Sequence, residues 1–196
     1  MPNQNIIQKP SPNFWQGRDG YKPEAVVVHI MDGTLAGTDS HFASPATEVS
    51  AHYGIGQSGE THQYVNEENS AWHAGRVNSP TWSLLKAGVN PNHYTIGVEH
   101  EGNAGSAWSA AMKLASATLI ADICKLWSIP TDRGHIIGHY QIDGVRRPNC
   151  PAYDKRIIDE IVALAKLQAQ PKLPPEVEDG IKKIEEGLAL IKRAAH

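Results

Sequence analysis

Ala25-Val26-Val27-Val28 is a continuous apolar run, mostly β-branched, and His29 closes it. A half-buried strand alternates polar and apolar residues. A short run without a polar member reads as a strand covered on both faces. Other segments have strand character too. Thr95-Ile96-Gly97-Val98-Glu99-His100-Glu101 and Gly134-His135-Ile136-Ile137-Gly138-His139 each read as one strand. Residues 50–56 and 61–65 alternate around Gln57-Ser58-Gly59-Glu60, which signals a hairpin. Between the later strands, Met112, Ala115, Leu119, Ile123 and Leu126 recur at helical spacing within a helix predicted over roughly 106–128. Ile129-Pro130 closes it. A further helix is expected from about Ala152 to Leu167, with Ile157, Ile158, Ile161, Val162 and Leu164 on its apolar side. Residues 74–93, with Gly75, Pro80, Gly88 and Pro91, read as a long functional loop.

The ends of the chain differ in character from this centre. Residues 1–23 are polar and proline-bearing and read as an irregular N-terminal arm. Residues 168–175 contain Pro171, Pro174 and Pro175 and read as a linker. Beyond it, in 176–196, Val177, Ile181, Ile184, Leu188 and Ile191 step by four and three on a charged amphipathic helix. Such a helix packs back on the domain, drives self-association or is the stump of a second module, and at under three heptads it is marginal alone.

Composition excludes several classes. The net charge is −3, and no basic cluster is longer than Arg146-Arg147 or Lys182-Lys183, so no nucleic-acid partner is expected. No apolar stretch approaches ~18 residues, so no membrane span is expected. The polar start Met1-Pro2-Asn3-Gln4-Asn5 lacks the marks of a secretory signal, which points to cytoplasmic synthesis. Two cysteines cannot build a disulfide framework. Cys124 falls in the apolar pattern of the central helix and reads as core.

Cys150, in Arg146-Arg147-Pro148-Asn149-Cys150-Pro151, is different. With His29 and His139 it offers two imidazoles and one thiolate. Such a set, with a fourth position left for solvent, has the character of a catalytic Zn2+ site; structural sites close all four. His135 is a rival ligand or a supporting partner.

Val28-His29, Val49-Ser50-Ala51-His52-Tyr53, Ala71-Trp72-His73-Ala74-Gly75, Ile96-Gly97-Val98-Glu99, Gly138-His139 and Asn149-Cys150-Pro151 follow one another in this order. Over roughly residues 24–165 the chain resembles the zinc-dependent N-acetylmuramoyl-L-alanine amidases of the type-2 amidase and peptidoglycan-recognition-protein group, which includes phage endolysins and muropeptide-recycling amidases. The resemblance implies an α+β (α/β-like) fold, a central mixed sheet flanked by helices, here with the C-terminal helix appended. It makes residues 24–167 a zinc amidase domain and bacterial peptidoglycan its partner.

By the same resemblance the metal ligands are His29, His139 and Cys150. Glu99 is the general base, and Glu101, two residues on, is weighed as a solvent-facing charge. Arg147, or else Arg146, stands in for a family lysine whose own position is Pro148. His73 belongs to the substrate groove or assists the attacking water, with Thr34 and Asn78 as further groove candidates. Trp82 and Trp108 are weighed as sugar-stacking aromatics against plain packing. A tyrosine that some relatives use is replaced by Ala51, and Tyr53 is expected on the other strand face. The expected role is a phage endolysin that reaches the wall after holin release or host lysis. A cytoplasmic recycling amidase and a non-catalytic peptidoglycan-binding module are the alternatives. Recycling enzymes tend to carry Asp as third ligand, and non-catalytic relatives tend to lack the cysteine.

Overall fold

The computed structural model describes residues 5–170 and 175–194. Its main sheet contains β1 (Ile6–Gln8), β3 (Ala25–Ile30), β4 (Tyr53–Ile55), β5 (Thr61–Gln63), β7 (Thr95–His100) and β8 (Ile136–Gly138). A separate antiparallel ribbon joins β2 (Phe14–Trp15) to β6 (Ser70–Ala71). The main sheet runs in the order β1-β5-β4-β7-β3-β8. Only β4 and β5, the expected hairpin, pair antiparallel; the other neighbours are parallel. The sheet is therefore mixed, and helices α1 (Leu35–Ala43), α2 (Ala110–Trp127) and α3 (Arg156–Gln168) flank it. This is the expected α+β class.

All six residues of β3 are buried, as its unbroken apolar run requires. Val26, Val28 and Ile30 pack with Met112 and Ile120 of α2 and Ile158 and Ile161 of α3. Ala25 and Val27 join Trp82, Tyr94, Ile137 and Ile142 on the opposite face. Side chains alternate along a strand, so His29 shares that second face. A third cluster gathers Phe42, Ala51, Tyr64, Val65 and Ala71 between α1 and the hairpin region.

Two helices start later than their spacing predicts, α3 at Arg156 rather than about Ala152. The central helix starts at Ala110 rather than 106, because the Ser109 hydroxyl accepts from the Met112 N–H at 3.0 Å and caps it. The residues before the cap serve packing: Trp108 stacks on His100 at 4.1 Å. Trp82 is also a core residue; its indole donates to the Gly134 carbonyl at 2.8 Å. Neither tryptophan offers a face for sugar stacking. Cys124 is buried and free, in the core position expected of it.

The arm over 1–23 is not irregular throughout. β1 lengthens the sheet beside β5, and β2 builds the ribbon. Backbone hydrogen bonds to a waiting edge require little side-chain pattern, which is why the polar sequence concealed them. Met1–Gln4 lie outside the described residues, as do 171–174 of the linker. α4 (Pro175–Ala194) follows, with Val177, Ile184 and Ile191 exposed. The expected seam positions Ile181 and Leu188 lie outside the described side chains. Among the described residues, no helix is long and apolar enough to cross a membrane.

Candidate metal centre and cleft

β3 and β7 run parallel with Ala25 opposite Thr95, Val27 opposite Gly97 and His29 opposite Glu99. Alternation makes Thr95, Gly97 and Glu99 one column beside the column that ends in His29. On the other side of β3, β8 ends at Gly138, and His139 opens a 3-10 turn over His139–Gln141. The following loop doubles back. Arg147 N–H donates to the Asp143 carbonyl, Cys150 N–H to Arg147, and Tyr140 N–H to the Cys150 carbonyl, each at 3.1 Å. That return brings Cys150 beside the two histidines.

The ligand atoms of His29, His139 and Cys150 lie within 4.8 Å of one another. The Nδ1 atoms of His29 and His139 face each other at 2.9 Å. The Cys150 sulfur accepts from the Ile30 N–H at 3.4 Å. Burial drives the electrostatics. It pushes His29 well below the ordinary histidine value, helped by His139 and His73, and brings His139 down to about 4, helped by Arg147. It raises the Cys150 thiol to about 12, with the Glu99 carboxylate adding to the rise. The pocket thus favours two neutral imidazoles and, by itself, a neutral thiol.

Glu99 stands next to this group. Its Oε1 is 4.0 Å from His29 Nδ1, and its buried Oε2 has no hydrogen-bond partner among the described residues. Burial raises its carboxyl to about 8, with Arg147 pulling it down and Asp32 pushing it up. A carboxyl in that range is suited to proton transfer near neutral pH.

These groups open into a cleft of about 700 Å³. Arg146 and Arg147 form part of its rim, and both are exposed. Thr34 also lines it, and its side chain caps α1 by accepting from the Gly37 N–H at 3.1 Å. Asn78 is not brought to the cleft; its backbone bridges to Asp143 instead. His135 is not in the ligand group: its Nδ1 contacts Asp132 Oδ1 at 2.8 Å, beside a separate cavity near Trp82. Glu101 is tied to the hairpin turn, accepting from the Gln57 N–H at 2.7 Å. Ala51 is buried, and the Tyr53 hydroxyl donates to Glu67 at 2.6 Å, so neither supplies a cleft hydroxyl.

His73 lines the cleft, yet both its ring nitrogens are engaged inside the protein, with His29 Nε2 at 3.0 Å and Thr95 Oγ1 at 3.2 Å. That leaves it no free nitrogen for a substrate. Trp72, part of the motif that resembles the family's groove segment, lines the cleft, whereas sequence reasoning passed over Arg18, which is buried. Arg18 donates to the carbonyls of Glu67, Asn92, His93 and Thr95 and contacts His52 Nε2 at 2.9 Å. A lone arginine in a polar arm carries no signal of such a role.

A mixed sheet that places two imidazoles, a thiol and a buried carboxyl at the floor of an open cleft defines a hydrolase-type centre. The pattern of one such family, N-acetylmuramoyl-L-alanine amidase, matches residues 19–153, and the chain belongs to that family. It is 46% identical over 103 residues to N-acetylmuramoyl-L-alanine amidase A of Achromobacter lyticus, which is 51% of this chain and 50% of that protein. The chain thus spans about half the length of that relative. It is 32% identical over 179 residues to the 1,6-anhydro-N-acetylmuramyl-L-alanine amidase AmpD of Salmonella typhimurium, covering 80% of this chain and 89% of the relative. A crystal structure of a selenomethionine AmpD derivative superposes with a TM-score of 0.63 at 25% identity, covering 80% of this chain and 93% of that one. A mutant endolysin from Bacillus subtilis shares the fold with a TM-score of 0.58 at 23% identity, covering 85% and 99%.

Proposed function

We propose that this protein hydrolyses the amide between the lactyl group of N-acetylmuramic acid and L-alanine in bacterial peptidoglycan, with His29, His139 and Cys150 holding Zn2+. The observation that carries this reading is the convergence of those three donors beside Glu99. The donor set fits the ion. Two neutral imidazoles and a sulfur suit zinc, and the thiol that burial keeps protonated needs a cation to become a thiolate. When bound, zinc acidifies a water molecule and polarises the scissile carbonyl.

The chain's own groups carry the rest. Glu99 takes the proton from the attacking water and returns it to the L-alanine nitrogen as the C–N bond breaks. Arg147 lines the same cleft and acts on His29, His139, Cys150 and Glu99 through its charge, so its guanidinium is suited to the oxyanion. Thr34 at the start of α1 contacts the substrate. Asn78, outside the lining, receives no role. We assign 24–167 as the catalytic unit, with residues 5–23 of the arm packed on it and α4 (Pro175–Ala194) as an appended helix.

Cys150 in the third ligand position supports an endolysin that meets the wall after holin release or host lysis. Similarity to the Salmonella AmpD over most of both chains favours a second reading, a recycling amidase. Purified sacculi and soluble 1,6-anhydro-muropeptides, digested side by side, separate them. New L-alanine amino termini from sacculi, lost with chelator and restored by zinc, support the endolysin. Cleavage of the soluble muropeptide alone supports recycling. Cleavage of neither overturns the amidase assignment. The exposed Val177, Ile184 and Ile191 favour self-association through α4, and sedimentation of a chain ending at Gln170 tests it.

A further inference from the structure

His73 lines the cleft beside His29, and the hydrogen bonds around its ring have a fixed direction. The chain starts at Pro91, whose carbonyl can only accept. The Thr95 hydroxyl has one proton and gives it to that carbonyl at 2.7 Å. Thr95 Oγ1 can therefore only accept from His73 Nε2, 3.2 Å away. A neutral imidazole with its proton on Nε2 has a bare Nδ1. That bare Nδ1 lies 3.0 Å from His29 Nε2, so His29 must donate from Nε2. Its remaining nitrogen, Nδ1, is then unprotonated and faces His139 Nδ1 within the ligand group.

We infer that Thr95 and His73 are positioning residues that fix the tautomer of His29, holding its proton on Nε2 so that Nδ1 is always ready to ligate. This rests on the metal-dependent reading above. The fold makes room for the device. Gly97 lies between Thr95 and Glu99 in the β7 column, and a Cβ there would sit 2.5 Å from His73 Cγ. The absence of that carbon lets the imidazole lie against the strand. From the other side, buried Asn92 accepts from the His73 and Ala74 N–H groups at 3.2 and 2.7 Å, which fixes where the ring leaves the backbone. A ligand held in the wrong tautomer would have to move a proton before binding. Partners of this kind typically change metal affinity by about 10- to 100-fold.

The test has two readouts that do not depend on turnover. The first is long-range 1H–15N correlation of the imidazoles in zinc-loaded protein. We expect an Nε2 proton on both His29 and His73; a His73 proton on Nδ1 overturns the inference. The second is zinc affinity by competition with a chromophoric chelator, for the wild type, Thr95→Val and Thr95→Ser. We expect Thr95→Val to bind about 10- to 100-fold more weakly and Thr95→Ser to bind like the wild type. Unchanged affinity in folded Thr95→Val overturns the proposal. If Thr95→Val does not fold, the wild-type tautomers decide. If the wild type binds no zinc, the metal reading itself fails, and the tautomers of the zinc-free protein still decide the hydrogen-bond chain.

Discussion

Glu99 shows what a single position in this fold must reconcile. It is a carboxylate on a buried strand, with one oxygen unpartnered and its acidity weakened to about 8. An unsatisfied buried oxygen costs about 1–3 kcal/mol, and a site built for stability alone would not keep one. Replacing it isosterically, as Glu99→Gln, is expected to lower kcat by about 10²- to 10⁴-fold. Zinc content by atomic absorption should remain that of the wild type, since Glu99 is not a ligand in our reading. Cys150→Ser is expected to act differently: zinc is lost on dialysis, and activity falls with metal content. Equal zinc retention in both variants would show that Cys150 is not a ligand. The sequence singled out both positions, Glu99 from a short motif near the end of β7 and Cys150 from a proline-bounded loop after β8. His73 was legible as a site residue but its task was not, because the direction of its hydrogen bonds depends on Thr95 and Pro91, 22 and 18 positions away.

At the scale of elements, the strands that position the site were easier to read than the pieces that brace them. β3 announced itself through its unbroken apolar run, and α2 through spacing. α1 did not, since Leu-Ala-Gly-Thr-Asp-Ser-His-Phe-Ala mixes weak helix formers with only Leu35, Thr38 and Phe42 buried. It depends on the Thr34 cap and on the cluster of Ala51, Tyr64 and Val65 that Phe42 packs against. The arm is the stronger case. Arg18 is 6% exposed and satisfies carbonyls of the segment that leads into β7. Arg18→Met is expected to leave those acceptors unpaired and to destabilise the fold by about 3 kcal/mol, read as a lower urea midpoint. An unchanged midpoint would mean that water replaces the guanidinium. In the core, Ile120→Ala on α2 should cost about 2–5 kcal/mol by the same measurement, because Ile120 is fully buried under the sheet.

Across the whole molecule, the buried histidines link stability to pH. Burial lowers His100 to about 4 and His52 well below the ordinary value. Unfolded, both titrate at about 6.5. Between about pH 6.5 and 4 the unfolded chain binds more protons, so their contribution is complete above that window and is lost as pH falls through it. The thermal midpoint of zinc-free protein should therefore drop on going from pH 7 to pH 5, and His100→Gln should flatten the drop. A flat profile in the wild type would mean that these rings are already charged in the native state. The sequence by itself determined the central strands and helices, because apolar periodicity is local, and six motifs in one order, by their resemblance to one family, implied the class of fold and nominated the site residues. Only the tertiary structure decided which residues meet. It set His29 opposite Glu99, returned the loop that brings Cys150 to His139, excluded Asn78 and His135, and recruited Arg18 from a polar arm. Register between strands and the direction of a hydrogen bond belong to pairs of distant residues, and no local pattern encodes them.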